Sequence, residues 1–122
     1  MDKQPTPTEI KLLQKIRILE VAFDTGEHFA LSCEYLRVFS PSAEVRGHGL
    51  SEGNLVFGKQ DVNIVGIDPV GNYAVKLIFD DGHQTGIYSW KVLYELGINQ
   101  TNNWQRYLER LATANSKHAP TK

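Results

Sequence analysis

Cysteine is almost missing from this chain: Cys33 stands alone among 122 residues. No internal disulfide can form, and one copy of the chain cannot build a thiolate-rich zinc or iron-sulfur cage. Such scarcity suits a reducing compartment, and the expected location is the cytoplasm. Excess charge is missing as well. Thirteen Lys and Arg against fourteen Asp and Glu leave a formal net charge of -1 at pH 7, without the positive field that phosphate neutralisation needs, so no nucleic acid is expected as partner. No apolar run approaches the length of a bilayer crossing, and the opening MDKQPTPTEI lacks the apolar centre of a signal peptide, so no membrane is expected either. Close ligand spacings such as CxxC or HxxxH do not occur, and His28, Cys33, His48 and His83 lie apart.

Apolar residues, by contrast, suffice for a core. At 41% hydrophobic, a chain of this length suits one domain that folds without disulfide or metal. The stretch FDDGHQTGIYSW, Phe79 to Trp90, organises the rest. Asp81-Gly82 interrupts the strand-like runs Tyr73 to Phe79 and Thr85 to Tyr88, as a tight hairpin turn does when glycine supplies a positive φ. Ser89 then offers an N-cap, and Trp90, Leu93 and Tyr94 share one face of a short helix expected to stop at Gly97.

The remaining elements follow from periodicity. Met1 to Thr8 carries two prolines and no apolar pattern, so a leader is expected there. From Lys15 the chain alternates, with Ile16, Ile18, Glu20 and Ala22 on one side and Arg17, Leu19, Val21 and Phe23 on the other. Asp24 to Glu27 turns it, and His28 to Ser32 returns. A short helix is expected from Ser32 or Cys33, ended by Ser40-Pro41-Ser42. The glycine-rich stretch Ala43 to Gln60 reads as a long shaped loop. Strands are expected over Asp61 to Ile67 and Asn72 to Phe79, and Trp104, Tyr107, Leu108 and Leu111 mark an amphipathic helix ending near Ala114. The expected organisation is thus a leader over 1–9, one domain over 10–114 and a tail over 115–122. Its class is α+β, a small, mostly antiparallel sheet built from hairpins with two or three short helices.

Several groups invite a chemical reading. Gly53 to Gln60, GNLVFGKQ, differs from the phosphate-loop pattern by Gln60 in the hydroxyl position, and a strand rather than a helix is expected after it, so nucleotide binding is rejected. Asp80 and Asp81 offer paired carboxylates, although neighbours at a hairpin turn usually diverge into water. Cys33 at a helix start is either an activated thiolate or a small buried filler. Trp90 and Trp104 suit core packing better than ligand stacking. In Arg46-Gly47-His48-Gly49, two glycines free the backbone around an Arg and a His, which either presents both to an anion or simply makes a turn.

Leu36-Arg37, SPSAEVRGHG from Ser40 to Gly49, VGNYA from Val70 to Ala74, and FDDGHQTGIYSW together resemble a bacterial family of small domains similar to the N-terminal domain of gamma-butyrobetaine hydroxylase. The resemblance covers roughly Ile16 to Leu111. It implies a β-rich module that binds structural zinc through three cysteines and a histidine, ahead of a separate iron and 2-oxoglutarate domain for which this chain has no room. A related domain is attached to P-loop carriers of iron-sulfur clusters. Carried over, the cysteine positions fall near Ser40, Ser42 and Val45, and the histidine matches His83. Family-type zinc binding is therefore not expected, and a hydrogen bond between His83 and Ser40 or Ser42 is the expected substitute.

The leading expectation is a non-catalytic accessory module that contacts a protein partner, with an interaction surface at Arg46, His48, Asp81, His83 and Trp90 and no cofactor. The alternative is a metal-linked role, either zinc or iron at His83 with His48 or Cys33, or assistance to iron-sulfur assembly. A small hydrolase or isomerase using His83 and Asp81 is the third reading, and it lacks a visible nucleophile or oxyanion hole.

Overall fold

The computed structural model describes residues 4–41, 58–84 and 86–118, with side chains as far as Thr113. Among them, two antiparallel three-stranded sheets and three helices form an α+β fold. Strands β1 (Pro7–Leu13), β2 (Ile18–Phe23) and β3 (His28–Ser32) lie in sequence order in the first sheet, and β4 (Ile64–Val70), β5 (Ala74–Phe79) and β6 (Ile87–Ser89) in the second. Helix α1 (Cys33–Val38) follows the first sheet. Helices α2 (Trp90–Ile98) and α3 (Gln100–His118) follow the second. The single small sheet expected from the hairpins is therefore two, and α3, at 19 residues, is not short.

The fold begins earlier than the alternation suggests. Pro7 pairs with Phe23 and Glu9 with Ala22 across a register shift, and the Asp24 amide donates to the Thr6 carbonyl at 2.9 Å. The expected leader over 1–9 thus enters the sheet from Pro7. A proline is tolerated because β1 is an edge strand with one unpaired side. Residues 14–17 form the turn into β2, with Arg17 at φ 57, and Ile16 is 60% exposed there rather than sharing a strand face with Ile18. In β2 the alternation holds: Leu19, Val21 and Phe23 are buried. Gly26, at φ 95, completes the turn into β3.

Ser32 caps α1 by accepting the Tyr35 amide, which satisfies one of the donors left over at a helix start. In the second sheet the strand limits expected at 61–67 and 72–79 shift to 64–70 and 74–79. Pro69 lies inside β4, again an edge strand. A register shift between Ile64 and Gly66 leaves Val65 turned outward. Val75, Leu77 and Phe79 of central β5 meet Leu19, Leu31, Leu36, Ile64 and Leu93 in one core. Each such side chain removed from water contributes about 1.5–3 kcal/mol.

Polar ties join the halves. Gln14 Nε2 donates to the Ile64 carbonyl and Asn63 Nδ2 to the Gln14 carbonyl, both at 3.0 Å. The Tyr35 hydroxyl donates to the Leu96 carbonyl at 2.7 Å and accepts from Asn103 Nδ2 at 3.0 Å, binding α1 to α2 and α3. Two expectations for the helices change. Gly97 does not stop α2, whose cap is Asn99; it lies inside the helix because a Cβ there would stand 2.4 Å from the Phe29 ring. α3 runs past Ala114 to His118 and turns Leu108 outward, while Tyr107 is buried. Among the described residues no helix is long and apolar enough to cross a membrane.

Candidate functional site

The connection from β5 to β6 gathers the polar side chains that sequence spacing leaves scattered. After Phe79 the chain reverses through Gly82 at φ 93, whose amide donates to the Phe79 carbonyl at 3.1 Å, while the Phe79 amide donates to the His83 carbonyl at 2.9 Å. Asp80 turns aside, and its Oδ1 accepts the Asn63 amide at 3.0 Å. Asp81 becomes a junction: Oδ1 accepts the His83 amide at 3.1 Å, and Oδ2 accepts both Arg37 Nε and Lys59 Nζ at 2.8 Å. Burial pushes this carboxyl upward, but Lys59, the His83 amide and Arg37 together outweigh it and hold the group at about 2. It is a carboxylate at any ordinary pH.

One residue beyond the turn, His83 points inward and is 9% exposed. Its Nε2 shares a hydrogen bond of 3.0 Å with Oγ of Ser40, which is 1% exposed. The Ser40 hydroxyl also reaches the Tyr88 oxygen, and the buried Tyr88 hydroxyl donates to the Leu36 carbonyl at 2.6 Å. Burial drives the Tyr88 pKa well above the ordinary tyrosine value, with Ser40 and Arg37 offsetting only part of it. Gly86 makes this closeness possible, since a Cβ there would lie 2.4 Å from Ser40 Oγ. Beside the cluster, Arg37 Nη1 is buried with no hydrogen-bond partner among the described residues.

The turn therefore fastens Ser40 through His83 and Lys59 through Asp81. Next to it, a depression of about 290 Å3 is lined by Gly58, Lys59, Asp61, Val62, Asp80 and Asp81.

Of the surface expected from the sequence, Asp81 and His83 come together, with His83 facing the interior. Trp90 stands elsewhere. It follows Ser89, which pairs with Ala74 at the opposite end of β5 from Phe79, roughly 16 Å away by strand rise. Its Nε1 donates to the Asn72 carbonyl at 2.8 Å and its ring packs against the core. Arg46 and His48 lie outside the described residues, as do Ser42, Val45 and most of the Arg46 to Gln60 loop.

Cys33 is fully buried, with Sγ 3.7 Å from Asn63 Oδ1, and burial raises its pKa, as for an inert filler rather than an activated thiolate. His28 pairs with Glu20 at 3.8 Å on the outer face of the first sheet. Among the described residues no group of three His, Cys, Asp or Glu side chains is placed to hold a metal. Lys59, met first in the rejected phosphate-loop pattern, is followed by a turn and β4, not a helix. Arg37, Lys59, Tyr88 and Gly86 are the members of the site that sequence reasoning missed.

Residues 10–94 match the family model described as gamma-butyrobetaine hydroxylase-like, N-terminal. The chain belongs to this family. A protein solved by NMR in solution is 58% identical over 94% of this chain and 88% of its own, with a TM-score of 0.79. A second NMR solution structure is 42% identical over 93% and 89%, at 0.80. A crystal structure from Acidithiobacillus ferrooxidans, of a protein with unknown function in the DUF971 family, is 39% identical over 80% and 98%, at 0.67. No curated protein matches. The chain is thus a domain of unknown function similar to the N-terminal domain of the hydroxylase.

The zinc that the family resemblance implies does not fit these residues. One imidazole, the hydroxyls of Ser40 and Ser42, and the isopropyl group of Val45 supply no thiolate and a single nitrogen to a tetrahedral site. That nitrogen, His83 Nε2, is already bonded to Ser40.

Proposed function

We propose that the domain is a non-catalytic accessory module of the cytoplasm that contacts a protein partner, using the end of the molecule that carries the 80–82 turn and the loop from Arg46 to Gly58. Support comes from one observation: residues flanking that loop, Ser40 before it and Lys59 after it, are tied to the same turn. The fold on either side of that stretch therefore meets at the Asp81 to His83 segment. The acid-base reading has less support. Asp81, held at about 2 and paired with two cations, has no proton to give near neutrality and is a weak base. His83 is buried.

The test compares capture of partners from cell extract by the wild-type chain and by an Arg46→Ala, His48→Ala variant, after both are shown to melt alike. A protein retained by the first bait and lost by the second is the expected result. Equal capture by both, or none by either, would remove the interaction reading.

A further inference from the structure

We propose that the buried hydrogen-bond chain His83, Ser40, Tyr88 and Leu36, admitted by the missing side chain of Gly86, fastens the end of α1 to the β5–β6 connection in place of a metal, so that this chain folds without one. It is independent of the interaction reading. The Tyr88 hydroxyl spends its single proton on the Leu36 carbonyl at 2.6 Å, so its oxygen can only accept from Ser40. Ser40 then spends its own proton on Tyr88, and its oxygen accepts from His83 Nε2 across 3.0 Å. Every donor then points the same way, and His83 carries a proton at Nε2.

The cluster is closed to water, with Ser40 and Tyr88 almost wholly buried, and a buried polar group must find a partner or cost stability. Here each finds one from the protein. A metal taken up by His83 Nε2 would displace that proton and leave Ser40 without its donor, and Ser40 brings no thiolate in exchange. Gly86 is the enabling residue: alanine there would place a Cβ 2.4 Å from Ser40 Oγ, closer than any side chain tolerates.

The experiment uses the full, untagged chain. Elemental analysis is expected to find no stoichiometric zinc or iron, and the melting temperature is expected to be the same with and without a strong chelator. Nitrogen-15 NMR of the histidines is expected to show His83 protonated at Nε2. Ser40→Ala and Gly86→Ala are each expected to lower Tm by about 3–10 °C, and combined to lower it by less than the sum, because the alanine methyl at 86 clashes with a hydroxyl that Ser40→Ala has removed. A metal bound one per chain, a chelator-sensitive melt, or His83 protonated at Nδ1 alone would each overturn the proposal. So would fully additive losses. Should either variant fail to fold, the wild-type metal count, chelator melt and NMR tautomer still decide the matter.

Discussion

Asp81 holds its charge because three donors converge on two oxygens, and this has a consequence in acid. Its folded pKa lies at about 2 against an ordinary value of 3.8. A carboxyl depressed on folding stabilises the native state above its unfolded pKa and loses that contribution as pH falls through the folded one. The contribution is roughly 2 kcal/mol at neutral pH, from the size of the shift, and it disappears between about pH 4 and pH 2. Asp81→Asn is therefore expected to lower stability at pH 7 by up to this amount and to flatten the acid limb of a denaturant-melting series. Equal acid sensitivity in wild type and variant would show that other carboxyls govern the limb. Arg37 and Lys59 were not readable as its partners. They lie 44 and 22 residues away, and nothing local distinguishes an Arg or Lys that meets a carboxylate from one that meets water.

Caps and turns follow from their own few residues, whereas limits and packing do not. Ser32 and Ser89 cap α1 and α2 as their side chains require, and Gly82 turns the chain where the acidic pair suggests. Gly97 shows the limit of such reasoning, since glycine near a helix end has two uses: it can stop the helix, or it can admit a neighbour. Phe29 decides for the second. Gly97→Ala is expected to destabilise by about 1–3 kcal/mol through overpacking, although helix propensity alone favours alanine by about 1 kcal/mol. A chemical melt of the variant, alone and with Phe29→Leu to make room, checks this; a more stable single variant would contradict the packing. The first strand makes a similar case. Removing residues 1–9 is expected to lower Tm and to speed amide exchange at Asp24, whose acceptor, the Thr6 carbonyl, would be lost. An unchanged melt would make the segment a dispensable leader.

The molecule as a whole is two sheets around one core, and the seam between them is both apolar and polar. Leu19 and Leu31 of the first sheet meet Ile64 and Leu77 of the second, while Gln14, Asn63 and Tyr35 tie backbone carbonyls across it. Neither sheet can bury its inner face alone, so both are expected to unfold together. Far-ultraviolet circular dichroism, which follows both sheets and all helices, and tryptophan fluorescence, which follows Trp90 and Trp104 near α2 and α3, are expected to give coincident transitions. Two separated midpoints would show that the seam is weaker than its contacts imply.

What can be read from the amino acids alone is whatever a few neighbouring residues decide: the alternation of Leu19, Val21 and Phe23, the serine caps, the positive-φ glycine after Asp81, and the supply of apolar side chains for one core. The resemblance of several motifs to one family also lay in the sequence, and the match over 10–94 bears it out. The tertiary structure alone decided that the strands divide into two sheets, that Pro7 joins the first, that Gly97 admits Phe29 and that Trp90 lies away from His83. The hydrogen bond of His83 to Ser40 or Ser42 was expected from the family resemblance, and the structure shows it at Ser40, 43 residues before His83. The physical reason is the same in each case. A turn or a cap is settled by backbone geometry within one turn of chain, whereas a contact between distant residues of ordinary type exists only once the whole core has closed around it.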